Sequence, residues 1–258
     1  MKTQLLQIQE LNLKMIKYIK ALMLMFVCNF AYASNYTPDI PLETISAGMP
    51  AVEKNIREAA VRVTAPFTGG HGSGSYIKYK DAHLIFTAQH VADGKLGTNY
   101  LITYKSESRM ATLIYADVPN DIAILYLSTS FRTIEPMKYN PLDKIAEVGT
   151  NIVYSGYPST HKLMSFTGRV AGHESGPTIG SKQIILQTYG WFGCSGSMIY
   201  TLKGQQVGIL YGVDVEYYPN TQVQENMIWV APITNVKIDK ALGDFCRTYH
   251  GNKLKACR

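Results

Sequence analysis

The sequence predicts an all-β fold made of two six-stranded units joined by a linker, with a single helix near the C terminus. Three observations predict it. Short runs rich in β-branched and aromatic residues recur along the chain, Gly, Pro, Asn and Asp break them at short intervals, and only the stretch after Pro232 carries a helical period.

The first 33 residues stand apart from the fold. Lys14, Lys17 and Lys20 precede the apolar run ALMLMFVCNFAYA, and Ala31-Tyr32-Ala33 has the small-x-small form of a cleavage site, so residues 1–33 read as a secretory signal. The apolar run is too short to cross a bilayer as a helix. Met15 is an alternative start that gives a more ordinary leader, an uncleaved anchor is the competing reading, and Val27 before Cys28 argues against lipid attachment. Cleavage after Ala33 leaves 225 of the 258 residues, enough for one well-buried unit, residues 34–258. Lys2, Lys14, Lys17, Lys20 and Glu10 leave with the leader, so the net charge falls from +6 to +3. So small an excess does not mark a nucleic-acid binder. The expected form is a monomer, secreted or periplasmic, with no membrane contact after cleavage.

The first unit, about residues 56–135, contains the candidate strands AAVRVTA, GSGSYIKY, HLIFTA, NYLITYK, MATLIYA and DIAILYLS. The second, about 146–232, contains NIVYSGY, MSFTGRVAG, QIILQTY, SGSMIYT, QVGILYGV and NMIWVAP. Between them TIEPMKYNPLDKIAEVG is Pro-punctuated and shows no clear strand, and no internal repeat links the two halves. A helix is expected over about 234–248, where Ile238, Ala241, Leu242 and Phe245 share one face and Thr234 or Asn235 is placed to cap its start.

Three cysteines, Cys194, Cys246 and Cys257, follow the leader. Export permits disulfides, and a Cys246–Cys257 bridge pinning the C terminus is one reading, which leaves Cys194 as an unpaired thiol. No Cys/His spacing suits zinc, no helical H-E-x-x-H occurs, and no Gly-rich phosphate loop follows a strand, so neither metal nor cofactor is expected.

Chemistry concentrates in three places. WFGCSGSMIY sets Ser195 between Gly193 and Gly196, a tight segment whose N–H groups can converge on one point. HLIFTAQHVAD puts His90 just after an apolar strand, and DVPNDIAILYL puts Asp121 at the start of another, where a carboxylate needs hydrogen-bond partners. The order His, Asp, Ser suits a mechanism in which serine attacks, histidine moves the proton and aspartate fixes the histidine tautomer. His83, Asp117, and the pair His173 and Glu174 are the alternative candidates.

These stretches resemble the boxes of trypsin-like serine peptidases of the chymotrypsin fold, the compact bacterial members in particular. GHGSGSYI resembles the strand before the histidine, FTAQHVAD the T-A-x-H-V box, NDIAIL the D-[IL]-A-[IL]-L box, SGYP with FTGRV the opening of the second barrel, and GCSGS the G-x-S-G-[GS] box of glutamyl endopeptidases and their relatives. The resemblance implies two six-stranded antiparallel barrels with a C-terminal helix and a site between the barrels. It implies His90 as general base and acid, Asp121 as its orienting partner, Ser195 as nucleophile, and the N–H groups of Gly193 and Ser195 as oxyanion hole. It also implies a polypeptide substrate and an acyl-enzyme intermediate. The alternative is an inactive peptide-binding module on the same fold. A Cys194 nucleophile would require glycine at 192 and 195, where Phe192 and Ser195 stand. Cys194 occupies the position of the aspartate that trypsins pair with a freed N terminus, so activation of that kind is not expected.

By the same resemblance Tyr189 takes the pocket floor, and Tyr211, Gly212 and Val213 supply the strand edge that pairs with an extended substrate. Tyr189 in place of an acidic floor argues against Arg or Lys selectivity, and Leu210, where glutamyl endopeptidases carry histidine, argues against Glu selectivity. An apolar or small residue at the cleaved position is expected.

Overall fold

The computed structural model describes residues 44–66, 69–179, 181–217 and 219–250, the side chains of 249 and 250 excepted. The signal-peptide reading and Cys257 therefore lie outside the described residues. The fold of residues 47 onward begins with a helix, α1 (Ala51–Ala59), which runs straight into β1 (Ala60–Thr64). β2 (His71–Tyr79), β3 (Ala82–Thr87), β4 (Asn99–Tyr104), β5 (Glu107–Asp117) and β6 (Ile122–Leu127) follow. They pair in the order β1-β4-β5-β6-β3-β2, and an antiparallel β1–β2 ladder closes the ring. Closure leaves no free edge to template pairing with another chain. On β4 alternation decides which side faces inward: the buried residues are Tyr100, Ile102 and Tyr104, with polar or exposed neighbours between them.

The second barrel comprises β8 (Asn151–Gly156), β9 (Met164–Ser175), β10 (Lys182–Gln187), β11 (Met198–Thr201), β12 (Gln206–Glu216) and β13 (Gln222–Pro232). Its closed order is β10-β13-β12-β11-β8-β9, and every ladder is antiparallel. The expected architecture of two six-stranded antiparallel barrels and a C-terminal helix is the observed one. The core inside the second barrel is built from residues such as Ile152, Ile184, Leu186, Val207 and Val230. The first-barrel core extends to Val153, Met198, Tyr200 and Ile209 of the second, so one apolar layer is continuous across the junction.

The helix α2 (Ile238–Phe245) buries Ile238, Ala241, Leu242 and Phe245, the four residues of the predicted face, against the first barrel. Its outer side is tied there as well, where Tyr79 Oη and Lys80 Nζ donate to Asp239 at 2.8 and 2.9 Å. Cys246 is disulfide-bonded.

Three local expectations are corrected. Thr234 and Asn235 do not cap α2. They lie in a 3₁₀ turn over Ile233–Asn235, and the helix starts later, with Lys237 at its N-cap and no side-chain capping bond. The linker is not strandless, because Met137–Lys138 forms a two-residue β7 parallel to β2. The C-terminal helix is also not the only one. α1 escapes a hydrophobic-period reading because AVEKNIREA buries only Ile56 and Ala59.

Candidate active site

His90 sits in a helical turn directly after β3, closed by Val91 and Ala92 N–H groups that both donate to the Ala88 carbonyl at 3.3 and 3.2 Å. Asp121 ends the tight turn from β5 into β6 and has φ +53°, a left-handed conformation that aspartate tolerates better than bulkier residues. Asp117 builds this turn by accepting from the Asn120 N–H at 3.3 Å and the Asn120 side-chain amide at 2.9 Å. It is therefore Asp121, not Asp117, that reaches the histidine. One carboxylate oxygen accepts the His90 backbone N–H at 2.9 Å and the other bonds His90 Nδ1 at 2.7 Å. The two-point grip fixes both the position of residue 90 and its tautomer, with the proton on Nδ1 and Nε2 left as an acceptor.

The loop 191–197 is fastened carbonyl by carbonyl. Trp191 O accepts from Cys194 N–H at 2.9 Å, Phe192 O from Ser159 N–H at 2.6 Å, Cys194 O from Ser197 N–H at 3.0 Å, and Ser195 O from Ser73 N–H at 2.8 Å. In a trans peptide the N–H points opposite to the preceding carbonyl. Holding Phe192 O and Cys194 O therefore aims the N–H groups of Gly193 and Ser195 away from those anchors. Neither N–H has a partner among the described residues. Gly193 and Gly196 both have φ +93°, and a Cβ on Gly196 would overlap the Ser73 carbonyl and the Thr87 hydroxyl. Only glycine fits there.

Cys194 is fully buried beside Tyr154, and this burial pushes its thiol pKa up. A protonated, enclosed thiol is a poor nucleophile. Tyr154 in turn donates from its hydroxyl to the Tyr189 carbonyl.

Ser195, Gly193, His90, Val91, His71 and Phe192 meet in one cleft of about 230 Å³, with Asp93, Ala65 and Gly70 completing its wall. Histidine and serine thus share a wall, but no hydrogen bond joins their side chains among the described residues. His71 and Phe192 were not singled out from sequence. His71 Nδ1 is held by the Arg62 guanidinium at 2.9 Å, and burial followed by the Arg62 charge lowers its pKa. Its Nδ1 is therefore the acceptor, and Nε2 carries the proton toward the Tyr157 carbonyl at 3.3 Å.

The other candidates lie elsewhere. His83 bonds the Tyr76 hydroxyl, and His173 Nε2 bonds the Ala146 carbonyl at 2.7 Å, so each is a packed structural imidazole, and Glu174 lies beside His173 on β9. Tyr189 is 39% exposed, with its ring against Phe166, and does not line the Ser195 cleft. Tyr211 is the extra residue where the β12–β13 register shifts, and it lines a separate cavity of about 130 Å³ with Asp121, Asn120 and Gln183. Gly212 and Val213 follow it on β12, opposite Trp229 and Ile228. No group of three or more metal-ligating side chains occurs among the described residues.

Two closed barrels with such a cleft between them are the architecture of the chymotrypsin-like serine proteases. A family model described as a trypsin-like peptidase domain matches residues 72–209, and the chain belongs to that family. It is a family of hydrolases that act on polypeptides. No curated protein matches the sequence. Among solved structures, the active form of the Rv3671c protease from M. tuberculosis is similar at a TM-score of 0.55 and 18% identity, over 86% of this chain and 97% of that one. The serine endoprotease from Yersinia pestis gives 0.54 and 17%, over 70% and 61%. The HtrA-type protease AlgW, solved with a tripeptide, gives 0.58 and 15%, over 77% and 63%. At these identities the likeness is one of fold.

Proposed function

We propose that this chain is an exported serine endopeptidase that works through a Ser195–His90–Asp121 triad and an acyl-enzyme. The observation that carries this reading is the double grip of Asp121 on His90, in a cleft shared with Ser195 and bordered by two N–H groups that have no partner among the described residues. With the Nδ1 proton directed to Asp121, His90 Nε2 accepts the Ser195 proton as Oγ attacks the scissile carbonyl carbon. The developing oxyanion takes the N–H groups of Gly193 and Ser195. Collapse breaks the C–N bond, and the amine leaves with the proton held by His90. Water then repeats the sequence against the ester and frees Ser195. Tyr189 is assigned to the floor of the specificity pocket and Tyr211, Gly212 and Val213 to the substrate-pairing strand edge, with apolar or small residues preferred at the cleaved position. The signal-like leader supports a secreted or periplasmic setting, and we assign the cleaved chain as a monomer without a membrane contact. No helix among the described residues is long and apolar enough to cross a membrane.

The second reading, a peptide-binding module without cleavage, draws on the missing hydrogen bond between Ser195 and His90. Such bonds are often long before substrate binds and tighten in the complex, so the enzymatic reading stands ahead of it. The test is hydrolysis of fluorescent casein by the wild type and by Ser195→Ala. Loss of roughly 10⁴-fold or more in the variant supports the triad. A wild type that binds casein without cutting it selects the binding module.

A further inference from the structure

Ser73 lies on β2 of the first barrel, fully buried, and is fastened by four hydrogen bonds. Its N–H donates to Ser195 O at 2.8 Å. Its hydroxyl donates to Gly193 O at 2.7 Å and accepts the Tyr157 N–H at 2.9 Å. Its carbonyl accepts the Thr87 hydroxyl at 2.7 Å, three residues before His90. One residue therefore touches the nucleophile loop at two carbonyls, the second barrel at Tyr157 and the strand that presents the histidine.

We infer that Ser73 is a positioning residue that holds the oxyanion loop in its reactive conformation. This rests on the reading of Ser195 as nucleophile. The hydroxyl's single hydrogen is committed to Gly193 O and one of its lone pairs to Tyr157 N–H, so rotating the side chain away would break both bonds. Gly193 O belongs to the peptide that ends at Cys194 N–H, itself bound to Trp191 O, so the Ser73 bond completes the fixation of that peptide at both ends. The same glycine presents one of the two cleft N–H groups that have no partner among the described residues. A glycine lets its adjoining peptides rotate unless contacts from outside the loop oppose it, and here Ser159 N–H holds Phe192 O on one side while Ser73 holds Gly193 O on the other. Removing the hydroxyl leaves Gly193 O and Tyr157 N–H without this partner. The least costly relief is rotation about Gly193, which carries its N–H off the oxyanion position.

The experiment compares Ser73→Ala with the wild type in turnover of p-nitrophenyl acetate, inhibition by phenylboronic acid and thermal melting. The expected result is a roughly ten- to hundredfold fall in kcat, below the roughly 10²–10³-fold loss of a whole oxyanion donor. KM should change little, phenylboronate affinity should fall by a factor similar to kcat, and the variant should remain folded at the assay temperature. An unchanged kcat, or a rise in KM with phenylboronate affinity intact, overturns the proposal. If Ser73→Ala does not fold, Ser73→Cys, which keeps a side chain but only a weak donor, is put through the same comparison. If the wild type turns over no ester and takes no label at Ser195, the reading of the chain as an enzyme fails instead. A crystal structure of the variant then decides the role of Ser73 by itself: a rotated Gly193 peptide supports it, and an unmoved one overturns it.

Discussion

At the scale of single residues, the candidate site depends on which hydrogen-bond partners are already committed. Asp121 commits both oxygens to His90, so Asp121→Asn should keep the fold while removing the acceptor that fixes the Nδ1 tautomer. Its kcat is expected to fall by about 10⁴-fold. Steady-state kinetics on any cleaved peptide checks this, and a loss below tenfold would remove Asp121 from the proposed triad. His71 supplies a pH prediction. Its folded pKa is lowered by burial and by Arg62, so neutral His71 contributes stability above the unfolded value near 6.5. That contribution is lost as pH falls through the lower folded pKa, because the imidazolium faces the guanidinium and Nδ1 can no longer accept. Melting temperature against pH should drop more steeply below 6.5 for the wild type than for His71→Gln, and parallel curves would contradict the assignment. His90, Asp121 and Ser195 could be nominated from the sequence because each stands in a local box with an apolar strand beside it. Ser73 and His71 were not. Both stand in the GHGSGSYI stretch, but the hydroxyl partners of Ser73 lie 84 and 120 residues away and the ring partners of His71 9 and 86 away, contacts that no local pattern announces.

Among the elements, the twelve barrel strands were legible because runs of β-branched and aromatic residues, broken by Gly, Pro, Asn and Asp, mark them. The two misread elements fail for physical reasons. β7 has two residues and owes its existence to the neighbouring β2, which no local propensity encodes. α1 has nine residues, of which only Ile56 and Ala59 are buried, and Ile56, 1% exposed, belongs to the first-barrel core. Its Arg57 reaches the second barrel, donating to Ser165 Oγ at 3.0 Å and Leu163 O at 2.9 Å. α1 therefore serves as a strap across both barrels. Ile56→Ala should cost roughly 2–5 kcal/mol by leaving a cavity under that strap. Urea unfolding checks this, and a cost below about 1 kcal/mol would show that α1 is peripheral to the core. The same reasoning explains the cap misreading: Thr234 and Asn235 have capping side chains, but the backbone spends them on a 3₁₀ turn, and Asn235 instead donates to Asn120 at 3.2 Å.

Across the whole molecule, the proposed site falls where two independently closed barrels meet. The first barrel contributes His90 and Asp121 from the ends of β3 and the β5–β6 turn, and the second contributes the loop leading to β11. Neither barrel holds the proposed site alone, so its geometry depends on fasteners between them: the shared apolar layer, the Arg57 strap and the Ser73 clamp. Preorganised N–H groups are effective because they need not be reoriented as charge develops. The fold brings the fixed loop and the fixed histidine together in the lining of one cleft. The most direct test is peptide mapping by mass spectrometry after treatment with a fluorophosphonate at neutral pH. The account predicts a single adduct on Ser195, abolished in Ser195→Ala and strongly slowed in His90→Ala. An adduct on another residue, or labelling of Ser195 at the same rate without His90, would contradict it.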